Sequence, residues 1–174
     1  MRLFHVSEEP NIEVFYPRIP ARTDIDQENG LVWAIEENKL SNFLTPRNCP
    51  RVGYHLNDKV DDETKKQFFS SLESSSCIVI EDIWLNAMLK TTLYIYEFDI
   101  ADFYLQDSAA GYYVSQKSQK PINKIIVSNI FDELLKRKVE VRIVPSLELI
   151  SSNLRQSKLD WSLCRMKYAK HNIE

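Results

Sequence analysis

The chain has 174 residues and a net charge of −3, with 22 Lys and Arg against 25 Asp and Glu. That length suits one domain around one buried core, and the slight acidic excess excludes a general nucleic-acid binder, which needs a basic surplus on at least one face. The 3 glycines, Gly30, Gly53 and Gly111, stand far apart, which excludes a P-loop and a clustered-glycine dinucleotide fingerprint.

The first predicted element is a strand over residues 2–6, with Leu3 and His5 on one face and Phe4 and Val6 on the other. With Phe4 and Val6 toward the core, His5 points the opposite way, into a cleft. Ser7, Glu8, Glu9 and Pro10 break the strand, residues 12–15 form a short extended piece, and Arg18 closes the segment. Residues 19–30, with Pro20, several charges and Gly30, read as a loop. The apolar run 31–35 (LVWAI) predicts a buried strand, and Leu40, Phe43 and Leu44 at helical spacing place a short helix over 36–44. Pro46 and Pro50 keep 45–51 irregular, and 52–56 is a further strand.

Asp61, Asp62 and Glu63 open the next helix, with Lys65 and Lys66 following and Phe68, Phe69 and Leu72 as its apolar stripe. Residues 77–80 read either as a strand or as the entry to a buried helix over 81–90 that carries Trp84, Leu85, Met88 and Leu89. The clearest strand is 91–99 (TTLYIYEFD), rich in β-branched and aromatic residues. Residues 103–110 read as loop or a turn of helix, and 111–115 and 122–127 as strands. Ser128 or Asn129 caps a helix over 130–138, Val139, Val141 and Ile143 alternate along a half-exposed strand, and Pro145 and Ser146 open a last helix. Residues 158–166 read as a final strand and 171–174 as a frayed tail. Short strands interspersed with short helices, without a regular βαβ alternation, indicate an α+β fold.

Cys49, Cys77 and Cys164 are too scattered for a disulfide framework, and His5, His55 and His171 lie too far apart for a zinc motif. No signal-peptide pattern opens the chain and no apolar run has spanning length, so a soluble, cytoplasmic protein without a membrane partner is expected. No Gly-x-Ser-x-Gly or His-Glu-x-x-His motif occurs, and the acid pairs read as turns and helix starts.

His5 is the sharpest candidate for chemistry, because imidazole both donates and accepts near neutral pH, which suits ribose hydroxyls or proton transfer. The plainer alternative is a structural histidine bonded to a backbone carbonyl. Arg47 and Arg51 have the planar, permanent charge that clamps phosphate or carboxylate, against the alternative of a solvated loop. Cys49 has no base beside it and reads as an inert thiol. Among the aromatics, Trp33, Trp84, Tyr94, Tyr96, Tyr112, Tyr113 and Trp161, most belong to the core, with one or two free to stack on a ligand ring.

Through RLFHVSEEPNIEVFYPR, LVWAIEENKLSNFLTPRNCPRV, LYIYEFD, GYYVSQKSQKPI, VEVRIVPSL and SLCRMKYA, nearly the whole chain resembles a family of small uncharacterised bacterial proteins, a domain of unknown function. The order of its pieces also resembles that of ADP-ribosyltransferase-like domains. His5 in Leu3-Phe4-His5 matches their opening strand histidine, and Trp33 in LVWAI matches an aromatic-bearing strand before a short helix. The resemblance implies a histidine that orients ribose, an aromatic that stacks on nicotinamide, and a late-strand glutamate that stabilises cation-like character at the ribose carbon or activates the acceptor. At that late position this chain departs from the pattern and carries Tyr112 or Tyr113. A phenol supplies no negative charge at pH 7, so the departure implies binding of NAD or another nucleotide without ordinary ADP-ribosyl transfer.

The resulting expectation is a single α+β domain over 1–170 with a split, mostly antiparallel sheet flanked by short helices. Its cleft would be lined by His5, Ser7, Trp33 and Tyr112 or Tyr113, with Arg47 or Arg51 at the rim, and would hold a nucleotide-like small molecule and no metal. Two alternatives stand beside it: a non-catalytic interaction or structural module, and a phosphate-processing enzyme in which His5, Arg47 and Arg51 converge.

Overall fold

The computed structural model describes residues 1–19 and 28–170. The expected tail 171–174, and residues 20–27 of the expected loop, lie outside the described residues. In chain order the strands are β1 (Leu3–Ser7), β2 (Val32–Glu36), β3 (Arg51–His55), β4 (Ser76–Glu81), β5 (Leu93–Phe98), β6 (Tyr104–Asp107), β7 (Tyr112–Ser115), β8 (Asn123–Val127), β9 (Val139–Val144) and β10 (Asp160–Cys164). The α-helices are α1 (Asp62–Phe68), α2 (Leu85–Lys90), α3 (Ile130–Lys136) and α4 (Glu148–Arg155). The fold is α+β, and the chain divides into two units, Met1–Leu40 with Leu93–Val127 and Ser41–Thr92 with Ser128–Glu174. No described helix is long and apolar enough to cross a membrane.

The first unit holds a 6-stranded antiparallel sheet in the order β6-β7-β2-β1-β5-β8. Strand alternation gathers Leu3, Val32, Ala34, Tyr96 and Phe98 on one face, where Phe15 closes over them. Leu3 and Phe4 are both buried, so β1 is covered on both faces at its start, unlike the one-sided strand expected from its alternation. The region 103–110, expected as loop, contains β6, an edge strand of four exposed residues that pairs with β7 through an irregular register between Leu105 and Asp107. Four exposed residues carry no apolar period by which a strand could be recognised.

The second unit holds a 4-stranded sheet, β10-β3-β4-β9, antiparallel except for the parallel pair β4 and β9. The ambiguous run 77–80 is a strand: β4 lies inside the sheet and all six of its residues are buried, the setting that produces an unbroken apolar run. Val52, Tyr54, Cys77 and Val79 pack with Phe68, Phe69, Leu147, Leu154 and Leu159. Asp61 caps α1 by accepting from the Thr64 N–H, and Asn129 caps α3 by accepting from the Asp132 N–H. Helix α1 ends before Leu72, which is 65% exposed rather than part of an apolar stripe. The chain turns extended at Phe69, and the Phe68 carbonyl accepts from the Tyr54 hydroxyl at 2.7 Å and from Arg142 Nη2 at 2.8 Å. In the predicted buried helix over 81–90, Met88 is buried while Leu85 and Leu89 are exposed. The helix predicted over 36–44 is a 3-10 helix, Glu37–Phe43.

Candidate functional site

Strand β1 pairs with β5 along all five of its residues, Leu3 through Ser7. With β2 it pairs only at Leu3–Glu36 and Phe4–Ile35. The ladder between β1 and β2 ends there, and His5 is the next residue along β1. Its Nδ1 lies 2.9 Å from the Trp33 carbonyl oxygen. A carbonyl only accepts, so Nδ1 carries the proton and donates, and a neutral ring keeps Nε2 as an acceptor. Burial pushes the pKa of His5 below its ordinary value, the bond to Trp33 opposes that shift, and the positive charge of Arg18 adds to it. The imidazole is therefore neutral at pH 7, with its tautomer set by one backbone oxygen.

The surroundings of this ring are tied together within the first unit. Phe15 packs on it with ring centroids 4.8 Å apart. Tyr96, the register partner of His5, donates its hydroxyl to the Glu9 carbonyl at 2.6 Å and accepts from the Ile12 N–H at 3.1 Å. Ser7 lies on the His5 face, where its hydroxyl accepts from the Glu9 N–H at 3.0 Å. Tyr113 packs against the same cluster as Phe15 and Ala34. Trp33 and Tyr112 belong to the opposite face and meet edge to face, with centroids 5.6 Å apart. The expected lining thus divides. His5, Ser7 and Tyr113 share one face, and the strand period of two sends the Trp33 and Tyr112 rings to the other.

Arg47 and Arg51 belong to the second unit. Arg47 is exposed, whereas Arg51 is 6% exposed. The Arg51 guanidinium donates to the Asn42 carbonyl at 2.8 Å and to the Cys49 carbonyl at 3.2 Å, and lies 5.1 Å from the centre of the Phe43 ring. Its charge holds its own loop in place, which speaks against a phosphate-gripping role. Beside it, His55 Nε2 donates to Asn42 Oδ1 at 2.9 Å, and the same amide crosses Gly53, where a Cβ would stand 2.2 Å from Asn42 Oδ1. Burial pushes the Cys49 thiol up to about 12, so the thiolate nucleophile is not formed at neutral pH.

The sequence model of the Family of unknown function (DUF6886) matches residues 4–169. The chain belongs to this family. No curated protein and no solved structure matches it. The DUF6886 span takes in His5 and also Arg18, which motif reading passes over. Arg18 is paired with Leu31 through both backbone groups, donating to the Leu31 carbonyl at 3.1 Å and accepting from the Leu31 N–H at 2.9 Å. Gly30 permits this approach, since a Cβ there would lie 2.9 Å from the Pro17 carbonyl carbon and 3.0 Å from the Arg18 nitrogen. The sequence signals were an arginine ending one segment and a glycine opening an apolar strand. Nothing in their spacing brings them together.

Proposed function

We propose that the first unit binds NAD or a related nucleotide at His5, in an arrangement of the ADP-ribosyltransferase-like kind, without ordinary ADP-ribosyl transfer. The observation that carries this reading is the neutral His5 ring, fixed by the Trp33 carbonyl where β1 leaves β2. Its Nε2 is suited to accept a hydrogen bond from a ribose hydroxyl. On this reading Tyr113, which shares the His5 face, packs on a ligand ring, and Tyr112 or Tyr113 supplies a phenol where transfer would need a carboxylate.

The test is titration calorimetry with NAD, ADP-ribose and nucleoside phosphates on the wild type and on His5→Asn. The asparagine amide keeps a donor near the δ position for Trp33 and removes the ε acceptor. Wild-type binding with a loss of roughly tenfold or more in the variant, at an unchanged fold, is expected for a lost hydrogen bond in a partly dry site. No heat with any of these ligands would end the nucleotide reading.

A second reading draws on the same hydrogen bond together with the Phe15 contact: His5 is a structural histidine of a non-catalytic interaction module. On that reading, wild type binds no nucleotide and substitution of His5 registers only as a change in stability.

A further inference from the structure

The 6-stranded sheet ends on two unlike edges, β6 and β8. β6 is short, and its register with β7 shifts between Leu105 and Asp107, which makes an edge a poor template for further pairing. β8 has neither protection. It keeps unbroken register with β5 from Asn123 to Val127, contains no proline, and has no partner on its outer side among the described residues. Ile126 on the strand and Ile122 just before it share one face and are 62% and 65% exposed. The charge that would guard such an edge is Lys124, which lies between them. Its Nζ is turned inward instead, donating to the Pro10 carbonyl at 2.8 Å and standing 5.7 Å from the centre of the Tyr94 ring on β5. A regular apolar edge whose lysine is engaged elsewhere is a pairing surface.

The residue pattern of β8 selects what fits it. Antiparallel partners lie on the same face, so a strand pairs with its own copy only about a two-fold axis placed at a residue. An axis at Lys124 would set lysine against lysine. Moved one residue on, to Ile125, it sets Ile125 against Ile125 of the second copy, Asn123 against Val127, and Lys124 against Ile126 twice over. Each exposed isoleucine then lies along the apolar stem of a lysine, and no like charges meet. Pairing of β8 with β6 of another copy would not close on itself and would build a filament, and the shifted register of β6 opposes it.

We infer that β8 pairs antiparallel with β8 of a second copy of this chain, about an axis at Ile125, to form a closed homodimer. The two sheets become one continuous sheet, with both His5 faces on the same side of it. Five residues of edge make a small interface, so the dimer is of the weak, reversible class. The pairing does not depend on what His5 binds.

The experiment is sedimentation of the full chain from about 10 μM to about 1 mM, the range in which a weak interface titrates. The wild type should pass from monomer toward dimer mass. Ile126→Lys, at an exposed position that leaves the fold intact by circular dichroism, puts two lysines opposite Lys124 and should weaken the dimer roughly tenfold or more. Cross-linking reads the register, with Cys164, the half-exposed thiol among the described residues, changed to Ser. Under mild oxidation Ile125→Cys should give a disulfide-linked dimer, since its two copies would stand about 5 Å apart by Cα. Asn123→Cys should not, since its copies would lie roughly 14 Å apart along the strands. A monomer throughout the range overturns the self-pairing and leaves the edge to an extended peptide of another protein. A dimer that tolerates Ile126→Lys, or that cross-links through Asn123→Cys rather than Ile125→Cys, overturns the pairing about Ile125.

Discussion

Each unit sets an arginine near a histidine, and the two settings are built in opposite ways. In the second unit Arg51, Asn42 and His55 are all buried, and they are joined donor to acceptor from β3 to the 3-10 helix, on either side of the loop between them. Thr45 is the exception in that loop, with a buried hydroxyl that has no partner among the described residues. In the first unit His5 uses one ring nitrogen on a backbone carbonyl, and Arg18 holds on by its backbone alone. A buried polar group must find its partners inside the protein, so the first pattern is what architecture requires. In the second, His5 Nε2 and the Arg18 guanidinium have no protein partner among the described residues. The comparison therefore teaches that residue type says little by itself. Arg47 and Arg51 were the arginines the sequence offered for phosphate, and the surroundings of Arg51 engage its guanidinium within the protein.

The strongest way to break this contrast is Arg51→Ala. It removes two hydrogen bonds to carbonyls and the packing on Phe43, and a loss of about 2–4 kcal/mol in urea unfolding is expected for a buried charged donor whose acceptors are left unpaired. A loss below about 0.5 kcal/mol, the range of ordinary surface substitutions, would mean that the Arg51 cluster is not structural. Next is Gly53→Ala, which drives a methyl group against Asn42 Oδ1. Overpacking of this kind costs about 1–3 kcal/mol. Because the displaced amide also serves His55, the effect should be non-additive with Asn42→Ala in a double-mutant cycle. Additive effects would show that the amide moves aside freely.

A smaller effect concerns pH. The folded state depresses the pKa of His5, chiefly by burial. Below the ordinary histidine value of about 6.5 the unfolded chain takes up a proton that folded His5 resists. Stability therefore falls as pH drops through that value, until the folded ring also protonates, and the contribution is absent well above it. The slope from this one group is at most about 1.4 kcal/mol per pH unit. Comparing wild type with His5→Asn over the weakly acidic range isolates it, since the other titrating groups are common to both. Parallel stability curves would show that His5 titrates normally. The smallest expected effect is Arg18→Gln on stability, within about 0.5 kcal/mol for an exposed side chain. A larger loss would make Arg18 structural and bring the two settings together.

Much of the fold was legible because burial writes itself into residue order. TTLYIYEFD gives β5, VEVRIV gives β9, and the acids and bases around 61–66 and 129–138 mark α1 and α3. Strand β6 was not legible, since an exposed edge of four residues has no apolar face. Nor could the sequence say that β4 would lie parallel to β9, because that pairing joins residues far apart in the chain. At the site, His5 was visible as a polar residue inside an apolar strand. The separation of Trp33 from it was hidden, because the face a strand residue occupies depends on cross-strand register, which no single segment contains. Arg18 was hidden for a related reason: its position depends on contact with Gly30 and Leu31, across residues that share no pattern with it.

The brief pairing of β1 with β2 has a mechanical consequence. Two residue pairs join β6, β7 and β2 on one side to β1, β5 and β8 on the other, so the first sheet behaves as two three-stranded leaves sharing a short seam. Past the seam, the rung from His5 to Trp33 is supplied by an imidazole rather than by a peptide group. Peptide rungs are the same whatever the residue, but this one is set by the identity of a single side chain and its tautomer. The link from β1 to β2 beyond the seam and the bond that fixes the His5 ring are therefore one and the same.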